Sequence, residues 1–310
     1  MTKKVAVLMG GCSSERKVSL SSGRNVLEAL VHAGYEAFPL DISHDLKPFI
    51  FMLESEKPDV VFNALHGQYG EDGCVQGILD LLEIPYTHSG RMASALAMDK
   101  VMSKKIFKMA GLPLANERIV TKEQILAGDV LPYPFVLKPI CNGSSVGVFI
   151  FDKDNGKKPF ENEKYPYPDN EKILAEEYIP GRELTVAVMD NKPLGVLEII
   201  PAKGFYNYHA KYSEGGSKHV IPANLPAEDY AEAMRIAAEA HTLLGCRGIS
   251  RSDIRYDDTR PGEKPRFALL ETNTQPGMTS LSLVPEIARY AGYSYQDIVV
   301  WMVENARCGD

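Results

Sequence analysis

The 310-residue sequence lacks the features that mark secreted proteins and membrane proteins. Its five cysteines are scattered and odd in number, and no two of them form a CxxC pair. This usage is typical of reduced thiols in a cytoplasmic protein rather than of a disulfide framework. No apolar run is long enough to span a bilayer, and the first residues lead directly into a strand without the apolar stretch and cleavage site of a signal peptide. We therefore expect a cytoplasmic location and no membrane partner.

Positive charge is also limited. The chain has 34 lysines and arginines against 41 aspartates and glutamates, which gives a formal net charge of −7. No block of basic residues stands out, so the charge gives no reason to expect a nucleic-acid partner. A hydrophobic share of 45% and a charged share of 24% suit a globular chain of two or three domains. We found no internal repeat.

The first hundred residues alternate between strand and helix. Strands are predicted at 5–8, 36–40 and 60–62, and a helix at 20–33 that Ser19 could cap and Gly34 could end. A glycine-rich loop over 64–73 and a further helix to about residue 82 follow the third strand. This order predicts a small open α/β domain whose ligands bind at the carboxyl ends of its strands.

The remainder of the chain is richer in strands than in helices. After a strand at 135–139 and a polar loop at 152–170, strands are predicted at 173–179, 184–188, 194–200, 248–256 and 266–271. Residues 203–220 show no period and are expected to be a long functional or disordered loop. An amphipathic helix is predicted at 227–244, and two helices end the chain. We predict three domains, with bounds 1–100, 101–181 and 182–310.

Two neighbouring predicted strands near the carboxyl end carry acids, an amide and an arginine. Arg251 and Asp253 lie two residues apart, as do Glu271 and Asn273, so each pair shares one face of its strand. Mg²⁺ binds through one or two carboxylates together with substrate phosphates. Gly277, after a proline, allows a sharp turn with an exposed N–H. The pattern favours a metal and phosphate site, although a surface ion pair is the simpler alternative for either strand alone.

Two further segments could bind a nucleotide. The glycine- and serine-rich loop 142–147 follows Lys138 at a strand end, where backbone N–H groups and an ammonium could meet phosphate oxygens. The spacing is not that of a Walker loop, and a simple turn is the alternative. Glu176, Glu177 and Glu183 flank an apolar pair, as an adenine and ribose slot would require, or they form a solvated acidic face.

Three other positions have both a functional and a structural interpretation. Glu15, near the start of a helix, could recognise an ammonium group or act as a cap. His66, in a glycine-rich loop, could contact a ligand, although a lone histidine is more often structural. Lys211 and Tyr212, in the long loop, could form a lid that excludes water, or they could be an ordinary surface lysine and a packed tyrosine.

Taken in order, these segments resemble the D-alanine–D-alanine ligase family of the ATP-grasp superfamily. The resemblance runs nearly end to end and is carried by residues 10–19, 64–73, 97–100, 138–147, 210–212, 251–253 and 271–282. It implies an α/β N-terminal domain with an open parallel sheet, followed by a two-lobed ATP-grasp fold of α+β type. It also implies that ATP phosphorylates one D-alanine, that a second D-alanine attacks the acyl phosphate, and that the enzyme is a homodimer.

The resemblance implies a role for each matching residue. For ATP it implies two phosphate-binding lysines, two serines that cover the phosphates, and four residues of the adenine and ribose slot: Lys100, Lys138, Ser144, Ser145, Glu176, Glu177, Ile179 and Glu183. Glu176 would face the adenine and Glu183 the ribose. Asp253, Glu271 and Asn273 would bind two Mg²⁺ or Mn²⁺ ions, with Glu271 between them.

For the amino acids, the resemblance implies a second set of residues. Glu15 would bind the ammonium of the first D-alanine, and His66 would also contact substrate. Arg251 and the Gly277 N–H would form the oxyanion hole, where preorganised donors stabilise developing charge. Lys211 and Ser282 would hold the carboxylate of the second D-alanine. Tyr212, in the long loop, would close the lid and help to orient or deprotonate the second amine. The lid tyrosine would hydrogen-bond with Ser144 and Glu15.

The sequence departs from the family pattern at three places and leaves three other functions open. The segment 154–167 matches nothing assignable, Cys141 is not required by the chemistry, and Ser252 replaces an apolar residue but should point away from the metal site. Another ATP-grasp ligase, a non-catalytic nucleotide sensor and a dinucleotide-dependent oxidoreductase are the alternatives. The last rests on Gly10, Gly11 and Asp41, and the third glycine of its fingerprint is missing.

Overall fold

The computed structural model describes residues 2–152, 158–161, 163–202 and 215–309, and it contains three sheets. The first is parallel, with the order β2-β1-β3. Its strands are β1 (Lys4–Gly10), β2 (Glu36–Ile42) and β3 (Val60–Asn63). Alternate residues of β1 enter two different cores, so the strand is buried on both faces.

Helices cover both faces of this sheet. The helices of this part of the chain are α1 (Arg16–His32), α2 (Lys47–Glu56), α3 (Cys74–Leu81), α4 (Arg91–Met98) and α5 (Lys100–Met109). Helix α1 packs on one face, and α2 and α3 pack on the other. Asp99 separates α4 from α5 and caps α5, because its carboxylate accepts hydrogen bonds from the backbone N–H groups of Val101 and Met102.

The second sheet is antiparallel, with the order β4-β7-β5-β6. Its strands and its helix are β4 (Glu117–Val120), α6 (Lys122–Ala127), β5 (Phe135–Pro139), β6 (Phe149–Phe151) and β7 (Ile173–Glu177). This sheet has a separate small core rich in aromatic side chains, in which Phe135 and Phe160 are buried. This sheet therefore has packing of its own and meets the third sheet across a cleft.

The third sheet is also antiparallel, with the order β10-β9-β8-β11-β12. Its strands are β8 (Arg182–Met189), β9 (Lys192–Pro201), β10 (Ser217–Val220), β11 (Ile249–Asp257) and β12 (Arg266–Asn273). Helix α7 (Ala227–Leu243) packs on one face. Helices α8 (Leu283–Tyr290) and α9 (Tyr295–Glu304) pack on the other, in a core that also contains residues of β1 and α1. The first and third sheets thus share a core, which fixes their strand ends relative to each other.

The observed elements correct two sequence predictions. Ser19 does not cap a helix but lies inside α1, where its hydroxyl donates to the carbonyl of Ala64 and accepts from the N–H of Gly10. Residues 217–220, predicted as part of a long loop, form β10 against β9 because their backbone groups complete the edge of the third sheet. The order of an open parallel sheet followed by two antiparallel sheets agrees with the predicted fold class. Within the described residues, no helix has the length and apolar character needed to cross a membrane.

Candidate active site

A cleft of about 840 Å³ opens between the second and third sheets. Its walls are formed by β5, the loop 142–148, the segment 176–183 that joins the two sheets, and the strand pair β11 and β12. Seven of the eight residues that the sequence assigned to ATP line the cleft, together with Asp253 and Glu271; the exception among the eight is Ser144.

The register of β11 and β12 brings the acidic and amide side chains onto one face. Asp253 pairs directly with Glu271, and Arg251 pairs with Asn273. A β-bulge after Asp253 changes the register, so that Leu270 and Glu271 both line the cleft although they are consecutive. Ser252 faces the opposite side, as expected, where its hydroxyl lies 2.9 Å from that of Thr272.

These oxygen atoms suit a hard divalent cation. Two carboxylates and an amide on adjacent positions of one face are the ligand types of Mg²⁺, which completes its shell with water and phosphate oxygens. The Asp253 carboxylate accepts two hydrogen bonds from Arg251, at 2.9 and 2.8 Å, and a third from Thr185 at 2.7 Å. The amide oxygen of Asn273 accepts from the N–H of Gln275. The described residues contain no cluster of three or more acids, histidines or cysteines that could hold a metal ion.

Lys100 connects this acidic face to the glycine- and serine-rich loop. Its ammonium lies 3.3 Å from the Glu271 carboxylate and donates to the carbonyl of Asn142 at 2.6 Å. The side chain is only 8% exposed, so its charge acts in a poorly solvated environment. Lys100 is the first residue of α5, and the Asp99 cap fixes where that helix begins.

At the inner wall of the cleft, Glu176 lies between two lysines. The ammonium of Lys104 is 2.5 Å from one carboxylate oxygen, and Lys138 forms a short ion pair with the other. Burial alone would raise the pKa of Glu176, but the nearby charges of Lys104 and Lys138 outweigh it and lower the pKa to about 2. Sequence reasoning missed Lys104. Its spacing of four from Lys100, which places both on one face of α5, was the available signal.

The segment that joins the two sheets is held by ion pairs. Glu177 accepts two hydrogen bonds from Arg266, at 2.6 and 3.0 Å, so its side chain is already engaged there. Arg255 was also missed by sequence reasoning. It donates to the carbonyls of Ile179 and Gly181, at 3.0 and 2.9 Å, and lies 3.5 Å from Glu183. Arg255 and Glu183 both line the cleft.

The loop above the cleft reaches the N-terminal sheet. Ser144 donates a short hydrogen bond to the buried carboxylate of Glu15. Ser144 and Ser145 both have positive φ, 51° and 57°, a left-handed conformation that turns the loop sharply. Ser13 donates to the carbonyl of His66 at 2.6 Å and so joins the two loops of the first sheet. Ser144 and Glu15 are therefore in contact with each other, whereas their predicted hydrogen bonds to Tyr212 involve a residue outside the described part of the chain.

His66 and Glu71 lie buried beneath these loops. His66 contacts the hydroxyl of Ser22 at 3.2 Å, and burial, followed by the charge of Arg251, lowers its pKa to about 4. His66 is therefore neutral near pH 7. Glu71 accepts from the N–H of Gly67 at 3.0 Å, and its other oxygen has no hydrogen-bond partner among the described residues. Burial, followed by the charge of Glu15, raises the pKa of Glu71 to about 8. Sequence reasoning assigned Glu71 no role, although it lies in the glycine-rich loop.

The turn after β12 docks on the N-terminal sheet. The side chain of Gln275 accepts from Asn63 at 2.8 Å and donates to the carbonyl of Leu65. A Cβ at Gly277 would lie 2.8 Å from the hydroxyl of Ser282, so a larger residue there would displace the Ser282 side chain. Lys211 and Tyr212 lie outside the described residues, so their predicted roles stay predictions.

The fold and the cleft together define an ATP-dependent ligase of the ATP-grasp class. The family described as D-ala D-ala ligase C-terminus matches residues 106–304, and the one described as D-ala D-ala ligase N-terminus matches residues 4–58 and 51–89. This chain belongs to the D-alanine–D-alanine ligase family.

Individual relatives agree with this assignment. The D-alanine–D-alanine ligase of Paramagnetospirillum magneticum is 54% identical over 99% of this chain and 100% of its own length. That of Parvibaculum lavamentivorans is also 54% identical, over 99% and 98%. A crystal structure of the Bacillus anthracis ligase complexed with ATP is 28% identical, has a TM-score of 0.78 and covers 98% of this chain and 97% of its own. A second structure of that ligase is 31% identical, with a TM-score of 0.79 and the same coverage. The predicted resemblance is confirmed.

The alternative of a dinucleotide-dependent oxidoreductase is wrong. Asp41, which would have to bind a ribose, instead accepts two hydrogen bonds from Arg16, at 2.8 and 2.6 Å, and one from the N–H of Gly11. The pair holds the pKa of the Asp41 carboxyl below its usual value. The carboxylate therefore stabilises the turn after β1.

Proposed function

We propose that this chain joins two D-alanines to D-alanyl-D-alanine, converting ATP to ADP and phosphate, for the synthesis of peptidoglycan precursors. Its relatives bear the name of this ligase, and one similar structure was determined with ATP. The observation that carries the proposal is the hydrogen bond between Ser144 and Glu15. It joins the loop suited to phosphates with the acid suited to an amino-acid ammonium, so the two substrates would meet at this point.

The nucleotide would occupy the cleft between the two antiparallel sheets. The buried carboxylate of Glu176 would accept from the adenine amino group, the backbone at Glu177 and Ile179 would complete the slot, and Glu183 would accept from the ribose hydroxyls. Lys100 and Lys138 would place their ammonium groups against phosphate oxygens. Ser144 and Ser145 would close over them and exclude water.

Asp253, Glu271 and Asn273 would hold two Mg²⁺ or Mn²⁺ ions. Such ions neutralise and orient phosphate oxygens as Lewis acids when they are bound. The positions of the two carboxylates, directly opposite each other on neighbouring strands, support this assignment. Asp253 also fixes the guanidinium of Arg251 on the same face, next to the reacting groups.

The first D-alanine would bind through its ammonium to Glu15, with neutral His66 beside it. Its carboxylate oxygen would attack the γ-phosphorus of ATP, the bond to the ADP oxygen would break, and an acyl phosphate would form. Lys100 and Lys138 would stabilise the charge that moves onto the leaving ADP.

The second D-alanine would bind with its carboxylate at Ser282 and Lys211. Its free amine would attack the acyl carbon, and the negative charge on the carbonyl oxygen would be met by Arg251 and the Gly277 N–H. The acyl carbon–phosphate oxygen bond would then break and release phosphate. Tyr212, together with Ser144 and Glu15, would close the lid, orient the attacking amine and help to remove the proton that its nitrogen loses when the amide forms.

We also propose that residues 1–100, 101–181 and 182–310 act as three lobes. The separate cores of the second sheet and of the outer face of the first sheet support this division. Family membership further supports a cytoplasmic homodimer. Sedimentation analysis of the purified protein tests the dimer, and a single monomeric species would contradict it.

The direct test is ADP release with Mg²⁺-ATP and D-alanine, with L-alanine as a parallel control and mass detection of the product. ADP and a dipeptide from D-alanine alone are expected. Turnover with another amino acid but not with D-alanine would keep the ATP-dependent chemistry and refute the substrate.

A further inference from the structure

Lys104 is a buried cation that the proposed reaction leaves without a role. Its side chain is fully buried in α5, whereas its neighbour Lys105 is exposed. Burying an ammonium is costly unless it is paired. Lys104 meets this requirement through Glu176, 2.5 Å away, and through the carbonyl of Leu269 at 3.4 Å.

The position of Lys104 shows that it cannot contact the nucleotide directly. Glu176 and Lys138 line the cleft, but Lys104 does not. The order from the interior outwards is therefore Lys104, then Glu176, then the space suited to the base. Any effect of Lys104 on the nucleotide must pass through the Glu176 carboxylate.

The charges around Glu176 suggest what that effect is. With Lys138 alone, the carboxylate would form a one-to-one ion pair, and the charge of Lys138 would be neutralised. With Lys104 on its other oxygen, the carboxylate is shared between two cations. Glu117 faces Glu176 across the β4–β7 ladder, and its buried Oε2 has no hydrogen-bond partner among the described residues. Burial raises the pKa of this second carboxylate, while the charges of Lys104 and Lys138 lower it.

We propose that Lys104 is a positioning residue for the nucleotide, an inference that rests on the proposed ligase function. Lys104 holds the Glu176 carboxylate from the interior side and thereby sets the preference for a base with an exocyclic amino group. A carboxylate fixed in this way accepts a hydrogen bond from the adenine amino group. A carboxylate drawn towards Lys138 instead would accept it less well.

The test compares direct binding of ADP with that of purine riboside diphosphate, which lacks the amino group, measured by calorimetry without D-alanine. The wild-type protein should bind ADP roughly tenfold more tightly than the analogue, the value of a hydrogen bond to a charged group. Lys104→Met, which keeps the length of the side chain and removes its charge, should reduce this ratio to within about twofold of unity. The matched control is Lys105→Met on the same helix, which should keep the wild-type ratio. An unchanged ratio in Lys104→Met would overturn the proposal.

A second comparison guards against misfolding of that variant. If Lys104 acts through Glu176, then Glu176→Gln and the double variant Glu176→Gln, Lys104→Met should bind ADP equally well. A further loss of affinity in the double variant would refute the route through Glu176. Because these measurements need no turnover, they are independent of the ligase assay. A wild-type protein that binds ADP but makes no dipeptide would refute the proposed function. The comparison of ADP and purine riboside diphosphate binding would still decide the role of Lys104.

Discussion

Replacing Glu71 with glutamine removes a titrating carboxyl group from the interior of the site while keeping the shape of the side chain. Glu71 is buried, one of its oxygens accepts from the Gly67 N–H, and the other has no hydrogen-bond partner among the described residues. Burial and the neighbouring charge of Glu15 raise its pKa from 4.5 to about 8. Near pH 7 the folded protein therefore holds a proton on Glu71 that the unfolded chain has released.

The sign and size of the effect follow from this difference in proton binding. Stability from the protonated carboxyl is fully present below the unfolded pKa and is lost as the pH rises through the folded pKa near 8. Each pH unit between the two values contributes about 1.4 kcal/mol. Between pH 6 and pH 8 the free energy of unfolding of the wild-type protein should therefore fall by about 2 kcal/mol relative to Glu71→Gln, whose amide does not titrate.

The assay is urea unfolding at several pH values, followed by circular dichroism and by the fluorescence of Trp301, the single tryptophan. Glu54→Gln, at an exposed position of α2, is the matched control and should follow the wild-type profile. Infrared absorption of a protonated carboxyl group at pH 7, absent from Glu71→Gln, gives an independent check. Parallel stability profiles for the wild type and Glu71→Gln would show that Glu71 is ionised and refute the argument.

Three further predictions concern activity. Glu271→Gln should lower ATP turnover by roughly a hundredfold or more with an unchanged circular dichroism spectrum, because it removes one of two paired carboxylates; near-normal activity would remove the metal assignment. Arg255→Met should raise the KM for ATP by roughly tenfold and change kcat less, because it removes the partner of Glu183 and of two carbonyl groups beside the cleft. Arg260→Met, at an exposed position, is the control, and equal KM values for the two variants would show that Arg255 is only structural. Tyr212 is proposed to orient the attacking amine, so Tyr212→Phe should increase the share of D-alanyl-D-lactate formed from mixed D-alanine and D-lactate. Unchanged product ratios by mass spectrometry would count against that role of Tyr212.

The sequence alone was sufficient to predict features that depend on the spacing of residues along a strand. The period of two along β11 and β12 predicted that Asp253 shares a strand face with Arg251 and that Glu271 shares one with Asn273. In the structure, Asp253 and Glu271 pair across the two strands. The bulge that follows Asp253 was not predictable, because an extra residue in one strand leaves the alternation of both segments intact. The error at Ser19 has a similar origin: a serine favours a cap, but here buried partners on β1 and after β3 satisfy its hydroxyl inside the helix.

Contacts between distant segments lay beyond the sequence. The spacing of Lys100 and Lys104 could have placed both on one helix face, but their carboxylate partners lie on two different sheets. Nothing local distinguishes Glu71 from an exposed acid, since its raised pKa comes from burial and from Glu15, more than fifty residues away along the chain. The family resemblance supplied the roles that depend on such contacts, because it carries three-dimensional information that a single sequence lacks.

The ion pairs of the cleft indicate how so many buried charges can coexist before a nucleotide binds. Three cations proposed to act on the substrates already lie against carboxylates: Lys100 against Glu271, Lys138 against Glu176, and Arg251 against Asp253. Unpaired, each would incur a large desolvation cost. Binding of ATP with its metal ions would exchange these partners, since phosphates would take the cations while the metal ions would take Glu271 and Asp253. Glu176 would keep Lys104 when Lys138 moves to a phosphate, so the exchange needs little net transfer of charge into the protein.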